Sequence, residues 1–209
     1  MTIQETYLAT AAIAADLLGR RETGDKWNEP SVLPEFAVRG LAGHVARAIL
    51  QVEWFLDMPV GEEEPVTAVQ YYAALRGLKD VESELNVGVR QRGEETAAGG
   101  WARLYLDATN ALERLKSRLP DEPRDRRVVA FGRSLLLEEY LKTRLIELTV
   151  HIDDLCLSIG MPTPPLPEAA TTSAIAVLVG VARARNGDLA VLRALARRER
   201  AADDVLHVL

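Results

Sequence analysis

The stretch YLKTRLIELTVHIDDLCLSIG, residues 140–160, constrains the fold more than any other. Its apolar residues recur with the period of a helix, yet it carries two polar faces. At 100° per residue, with Tyr140 at zero, Glu147, His151, Asp154 and Ser158 fall within about 40° of it, and Arg144 lies at the edge of the same stripe. Leu141, Leu148, Ile152 and Leu155 flank that stripe on one side, and Ile146, Val150 and Leu157 on the other. Glu138, Lys142, Thr149 and Asp153 occupy the opposite face. A surface helix needs only one solvated face. One of these two therefore turns toward something other than bulk water. The stripe with glutamate, histidine, aspartate and tyrosine is the better candidate, because the opposite face reads as plain surface.

The rest of the chain also reads as helices joined by short connections, with no convincing alternation of period two. Helices are expected over residues 3–19, 34–57 and 135–159, with a short one in TAVQYYAAL. A long helix is expected over 80–119, disturbed near Gly88, Gly93 and AAGG. PDEPRDRRVVAFG reads as a connector. The Pro-rich GMPTPPLP separates residues 1–162 from a tail with helical segments over 168–185 and 188–200 and a possible short strand in ADDVLHVL. The expected fold is all-α: a four-helix bundle over residues 1–162, with residues 163–209 as a short helical extension packed on it.

Within the buried stripe, Glu147 and His151 stand four residues apart and can reach one metal ion from one helix face. They can equally form a partly buried pair along the helix. The second helix supplies a further candidate, His44, in VRGLAGHVARAILQ. Ala37, Gly40 and Ala48 share its face, with Gln51 at the edge, and small residues there leave room for an ion and a ligand. If the two helices are neighbours, His44 meets Glu147 and His151 in the bundle core. Two imidazoles and one carboxylate with an open position suit catalytic zinc and non-haem iron. A core histidine bonded to a backbone carbonyl is the other reading of His44.

Composition narrows the function. The chain has 209 residues and a net charge of −6, which gives no reason to expect nucleic-acid binding. Cys156 is the one cysteine, so no intramolecular disulfide can form. MTIQETYLATAAIAADLLG lacks a basic segment before its apolar part, and Glu5 and Asp16 interrupt it, unlike a signal peptide. No apolar run reaches the roughly 18 residues of a membrane span. The expectation is a cytoplasmic protein without membrane contact.

LAGHVARAIL together with YLKTRLIELTVHIDDL resembles the DinB-like superfamily, in particular the branch with the N-terminal domain of mycothiol-dependent maleylpyruvate isomerase. That branch has a histidine in the second helix and an Arg-x-x-Glu-x-x-x-His-x-x-Asp-Leu run in the last bundle helix. This chain reads Arg144, Glu147, His151, Asp154 and Leu155 across the run. The resemblance covers about residues 3–162 and implies a four-helix bundle holding a divalent metal, most often zinc (Zn2+), with His44, Glu147 and His151 as ligands. It also implies a reaction of a low-molecular-weight thiol such as mycothiol with an electrophilic small molecule, as a thiol S-transferase or an isomerase. The isomerase itself carries a further C-terminal domain that contributes to its active site. Residues 163–209 are short for that domain, so maleylpyruvate isomerisation itself is not implied.

In such a site, zinc lowers the pKa of a coordinated thiol and makes a thiolate available near neutral pH. Asp154 can orient a ligand or bond to a neighbouring helix. Arg144 can hold an anionic group of substrate or cofactor, or pair with Glu147 or Asp154. Tyr140 is a candidate proton donor. Cys156 lies about 140° from His151 around the helix, which argues against a role as ligand or nucleophile, and His207 in VLHVL reads as structural. The basic run LRALARRERAADD reads as a solvated helix face. Two functions of different class fit: a metal-dependent enzyme using a small thiol, and a non-catalytic metal-binding or ligand-binding bundle.

Overall fold

The computed structural model describes residues 1–75, 77–78, 80–197, 199 and 204–208. Its first long helix, α1 (Ile3–Gly19), starts at a capping box in which Thr2 and Glu5 satisfy each other's backbone N–H groups. A short α2 (Arg21–Asp25) lies in what the sequence suggested was loop. Helix α3 (Val38–Asp57) begins later than residue 34, because residues 33–36 form a turn with Glu35 at φ 61°. Helix α4 (Ala68–Ala74) starts at a second capping box, Thr67 with Gln70.

The long helix expected over residues 80–119 is two helices, α5 (Glu84–Ala97) and α6 (Trp101–Arg118). Gly100 sits between them at φ 85°, a conformation open to glycine and strained for other residues. Helix α7 (Leu137–Ile159) is the helix of the two polar faces, closed by Gly160 in the left-handed conformation. Helices α8 (Glu168–Asn186) and α9 (Asp188–Ala196) follow the Pro-rich break. The expected extension of the last helix to residue 200 falls partly outside the described residues. No strand occurs at 204–208, and the remainder of ADDVLHVL lies outside the described residues.

The connector before α7 is a β-hairpin, contrary to the expectation from sequence. Strand β1 (Arg127–Ala130) pairs antiparallel with β2 (Arg133–Leu136), with Arg127 opposite Leu136 and Ala130 opposite Arg133. Phe131 and Gly132 form its two-residue turn, both at positive φ (50° and 75°).

Helices α1, α3, α6 and α7 form the bundle, with α1 and α3 each packed against both α6 and α7. Tyr7, Leu41, Ile49, Leu115, Leu141 and Leu145 are fully buried between them. Helix α8 lies on α7 and α4, and its Ala170, Ala174, Val177 and Val181 join the same core. Helix α5 packs along α3, and there glycines matter. A Cβ on Gly43 would stand 2.0 Å from the Gly93 carbonyl oxygen, and one on Gly93 2.5 Å from that of Gly40. Gly40 thus serves backbone contact between helices, and its missing side chain does not open space beside His44. Among the described residues no helix is long and apolar enough to cross a membrane.

Candidate metal centre

The neighbouring helices α3 and α7 bring His44, Glu147 and His151 together. One ligand atom from each lies within 4.8 Å of the others. His44 Nε2 is 2.9 Å from Glu147 Oε2, His151 Nε2 is 3.6 Å from the same oxygen, and the two imidazole rings meet edge to face at 4.7 Å. All three residues are partly buried. Asp154 accepts a hydrogen bond from His151 Nδ1 at 2.8 Å. That bond fixes the ring and turns Nε2 toward Glu147 and His44. Nδ1 and Nε2 stand on opposite sides of an imidazole, so Asp154 is placed to orient His151 and not to complete the ligand set.

The second Glu147 oxygen, Oε1, accepts a 2.7 Å hydrogen bond from the Tyr72 hydroxyl, which also lies 3.3 Å from the Thr143 carbonyl. Sequence reasoning missed Tyr72. It sits on a short helix with no motif, and only tertiary placement aims it at the glutamate. Both ends of α4 are anchored. Glu139 of α7 accepts from the Ala68 N–H at its start, and Arg185 of α8 donates to the Tyr72 and Leu75 carbonyls at its end.

The electrostatics follow from this packing. Burial alone would raise the Glu147 pKa, but hydrogen bonds with His151 and His44 and the charge of Arg144 hold it well below the usual carboxylate range. Burial would lower the His151 pKa, yet Asp154 and Glu147 push it up to about 9. Burial dominates at His44 and lowers its pKa, aided by the charges of His151 and Arg144. The metal-free cluster therefore holds one carboxylate, one imidazolium and one neutral imidazole near neutral pH.

Arg144 pairs with neither Glu147 nor Asp154. It is 6% exposed, donates to Gln51 Oε1 and Thr143 Oγ1 at 3.1 Å each, and lies over the Tyr140 ring at 5.2 Å. Burial opposes its charge, but Tyr140, Glu147 and Tyr72 around it raise its pKa further. Tyr140 is packed against Phe55 and Arg144, and its hydroxyl has no hydrogen-bond partner among the described residues. Burial drives its pKa up, and it does not line the cavity described next. Cys156 is buried outside the cluster. His207 is exposed, while Val205 and Val208 beside it are buried, so the tail is anchored by its valines.

A cavity of about 360 Å³ opens over the cluster, bounded by α3, α4, α5, α7 and the hairpin turn. His44, Glu147, His151 and Arg144 form its floor, Arg47 and Arg92 its side, and Leu85 and Val89 of α5 with Leu75, Leu78 and Phe131 its apolar wall.

Fold and site together define a helical bundle with a histidine–glutamate cluster suited to a metal ion. Comparison with known families matches residues 8–156 to the mycothiol maleylpyruvate isomerase N-terminal domain. The chain belongs to that DinB-like family. No curated protein and no solved structure matches it.

Proposed function

We propose that the protein binds one divalent metal ion, zinc first among candidates, through His44, Glu147 and His151, and uses it in a reaction between a low-molecular-weight thiol and an electrophilic small molecule. The observation that carries this reading is a three-ligand cluster that faces a cavity. Two imidazole nitrogens and a carboxylate oxygen make a donor set that zinc accepts, and catalytic zinc sites keep a position open beyond three protein ligands. Bound there, zinc would lower the pKa of a thiol and so supply a thiolate near neutral pH. Mycothiol is the first thiol to test, because the family description names it.

The chain's own residues divide the remaining work. Asp154 holds the His151 ring, and Tyr72 holds the second oxygen of Glu147. Leu33, Phe36 and Val150 add apolar surface to the cavity over the cluster. Arg144 keeps a buried positive charge beside Glu147 and helps keep that carboxylate ionised.

The test has two parts. Elemental analysis of protein purified without chelator should give close to one metal per chain. Thiol consumption against a panel of electrophiles should then depend on metal and fall in Glu147→Gln and His44→Ala. Equal rates in wild type and both variants would remove the enzyme reading. Stoichiometric metal without thiol turnover would favour a non-catalytic metal-binding bundle.

A further inference from the structure

The wall of the cavity is chemically odd. Arg47, Arg92 and Arg144 all line it, and none has a carboxylate within ion-pair distance among the described residues. Arg144 is committed to Gln51, Thr143 and the Tyr140 ring. Among the described residues Arg47 makes one side-chain hydrogen bond, a 3.3 Å contact to Thr96 Oγ1, and stacks 5.6 Å from the Trp54 ring. The Arg92 guanidinium has no hydrogen-bond acceptor among the described residues and lies 5.9 Å from the Phe131 ring. Each guanidinium carries five N–H donors, so most of this capacity is not taken up by acceptors among the described residues.

The contrast with the surface is direct. Arg20, Arg39, Arg103, Arg114, Arg118 and Arg183 each meet a carboxylate at 3.0 Å or less. Among the described residues that line the cavity Glu147 is the one acid, and it is engaged by His44, His151 and Tyr72. Arg47, Arg92 and Arg144 therefore face the cavity without an ion pair, although a chain of net charge −6 has acids to spare. Burial and the charges of Arg92 and Arg144 lower the pKa of Arg47, as expected when like charges crowd together. Like charges brought together out of water are costly unless an anion joins them.

The rest of the wall is apolar. Leu75, Leu78, Leu85 and Val89 line it, and Phe131 stands at its edge. Phe131 is 51% exposed and holds φ 50° at the hairpin turn, a conformation unfavourable for a bulky residue. An exposed aromatic ring kept in such a backbone beside a cavity fits a contact surface for an apolar group.

We infer that this cavity binds an organic anion with an apolar body, its anionic head held by Arg47 and Arg92 with Arg144 behind them and its body lying against Phe131 and the leucines. Guanidinium groups suit a carboxylate, sulfonate or phosphate head alike. The inference deepens the proposed function by naming the class of the electrophilic substrate, and it rests on that reading for the reaction but not for the binding.

The full chain is titrated calorimetrically with 4-phenylbutyrate, with its neutral analogue 4-phenylbutanol and with inorganic phosphate, in zinc-loaded and in chelator-treated protein. The acid should bind about tenfold or more tighter than the alcohol in both forms, since charge-assisted hydrogen bonds are the stronger kind. Phosphate should bind more weakly than the acid. Arg47→Gln and Arg92→Gln should each cost about tenfold in affinity for the acid and leave the alcohol unchanged.

Gly88→Ala gives a second route. The added methyl would stand 2.9 Å from Arg92 Nη1 and displace that guanidinium without removing it, while alanine favours the helix. It too should weaken the acid. Equal binding of acid and alcohol would overturn the inference, as would no binding of either. Phosphate binding as tight as the acid's would overturn the apolar part. Acid binding that vanishes with chelator and ignores both arginine variants would assign the anion to the metal instead. Zinc content is measured on the same samples, so failure of the metal reading is seen separately: zinc lost with acid binding intact removes that reading alone.

Discussion

Helices α7 and α5 face each other across the cavity and are held in different ways. Helix α7 buries Leu141, Leu145, Leu148, Ile152 and Leu155 completely, and it carries the candidate ligands Glu147 and His151 on a face whose polar atoms nearly all have partners. Helix α5 buries only Gly93 and Ala97, and packs chiefly along α3. It carries Arg92, whose guanidinium has no acceptor among the described residues. Two of the three candidate ligands thus stand on the deeply buried element, where small errors of position would be most damaging to metal geometry. The arginine stands on an element tied to the bundle along one side, where it can adjust to what it meets. Hydrogen exchange gives a direct reading of the difference: α7 amides should be among the slowest in the chain and α5 amides faster.

The largest effect should come from removing a ligand on the rigid side. His151→Ala is expected to abolish stoichiometric metal uptake, measured by elemental analysis, while circular dichroism stays helical. Uptake equal to wild type would refute the ligand assignment and leave α7 as a helix with an ordinary buried polar pair.

Next come the two packing modes themselves. Leu145→Ala should destabilise the protein by about 2–5 kcal/mol in urea unfolding, the usual cost of a cavity at a fully buried leucine. Gly93→Ala should cost about 1–3 kcal/mol, because its Cβ would meet backbone and α5 would have to move outward. The second change should also weaken whatever binding depends on Arg92, since the whole helix shifts. A neutral Gly93→Ala would mean that α5 is even less constrained than its close approach to α3 indicates.

A smaller effect separates orientation from ligation. Asp154→Asn keeps the shape of the side chain but removes the charge that His151 Nδ1–H meets. Metal affinity should fall by about 10–100-fold, as for other partners that orient a metal-bound histidine, with stoichiometry unchanged at saturating metal. Complete loss of uptake would instead make Asp154 a ligand.

The same two helices show why some of this was legible in sequence and some was not. The stripe of α7 was readable because a buried helix has no ordinary reason to carry Glu147, His151 and Asp154 on one side. The period of 3.6 fixes their common face without any knowledge of the neighbours. His44 could be added because small residues, Ala37, Gly40 and Ala48, share its helix face. Arg47 and Arg92 were not readable as cavity residues, since an arginine on a helix wheel looks like surface until its neighbours are placed. Gly40 was read, with Ala37 and Ala48, as space beside His44, but helix α5 fills the side of Gly40, and its own Gly93 is what allows the approach. Tyr72 reaches Glu147 only because α4 is docked by Glu139 and Arg185, two contacts distant in sequence. The hairpin escaped because its strands are four residues each and RSLL buries two neighbours in succession, which breaks alternation. Its turn uses Phe-Gly, where the recognisable signal is Asn-Gly.

The last expected effect concerns pH and sharpens the α7 side alone. In the metal-free protein His151 is raised to about 9 from an ordinary value near 6.5, through Asp154 and Glu147. A group whose pKa is higher in the folded chain stabilises the fold when protonated. Its contribution is therefore complete below about 6.5 and is lost as pH rises through about 9. Chelator-treated wild type should lose unfolding midpoint between pH 6.5 and 9.5 more steeply than His151→Gln, which lacks the titrating group. The subtraction removes every other group that titrates in that window. Metal uptake should run the opposite way: a proton must leave His151 before its Nε2 can serve as a ligand, so apparent affinity rises with pH up to about 9 and binding at pH 7.5 releases a proton. Calorimetry in buffers of different ionisation enthalpy reads that proton directly. Identical pH slopes in wild type and His151→Gln, or metal uptake with no proton released, would show that the imidazole is already neutral and that Asp154 orients the ring without holding its charge.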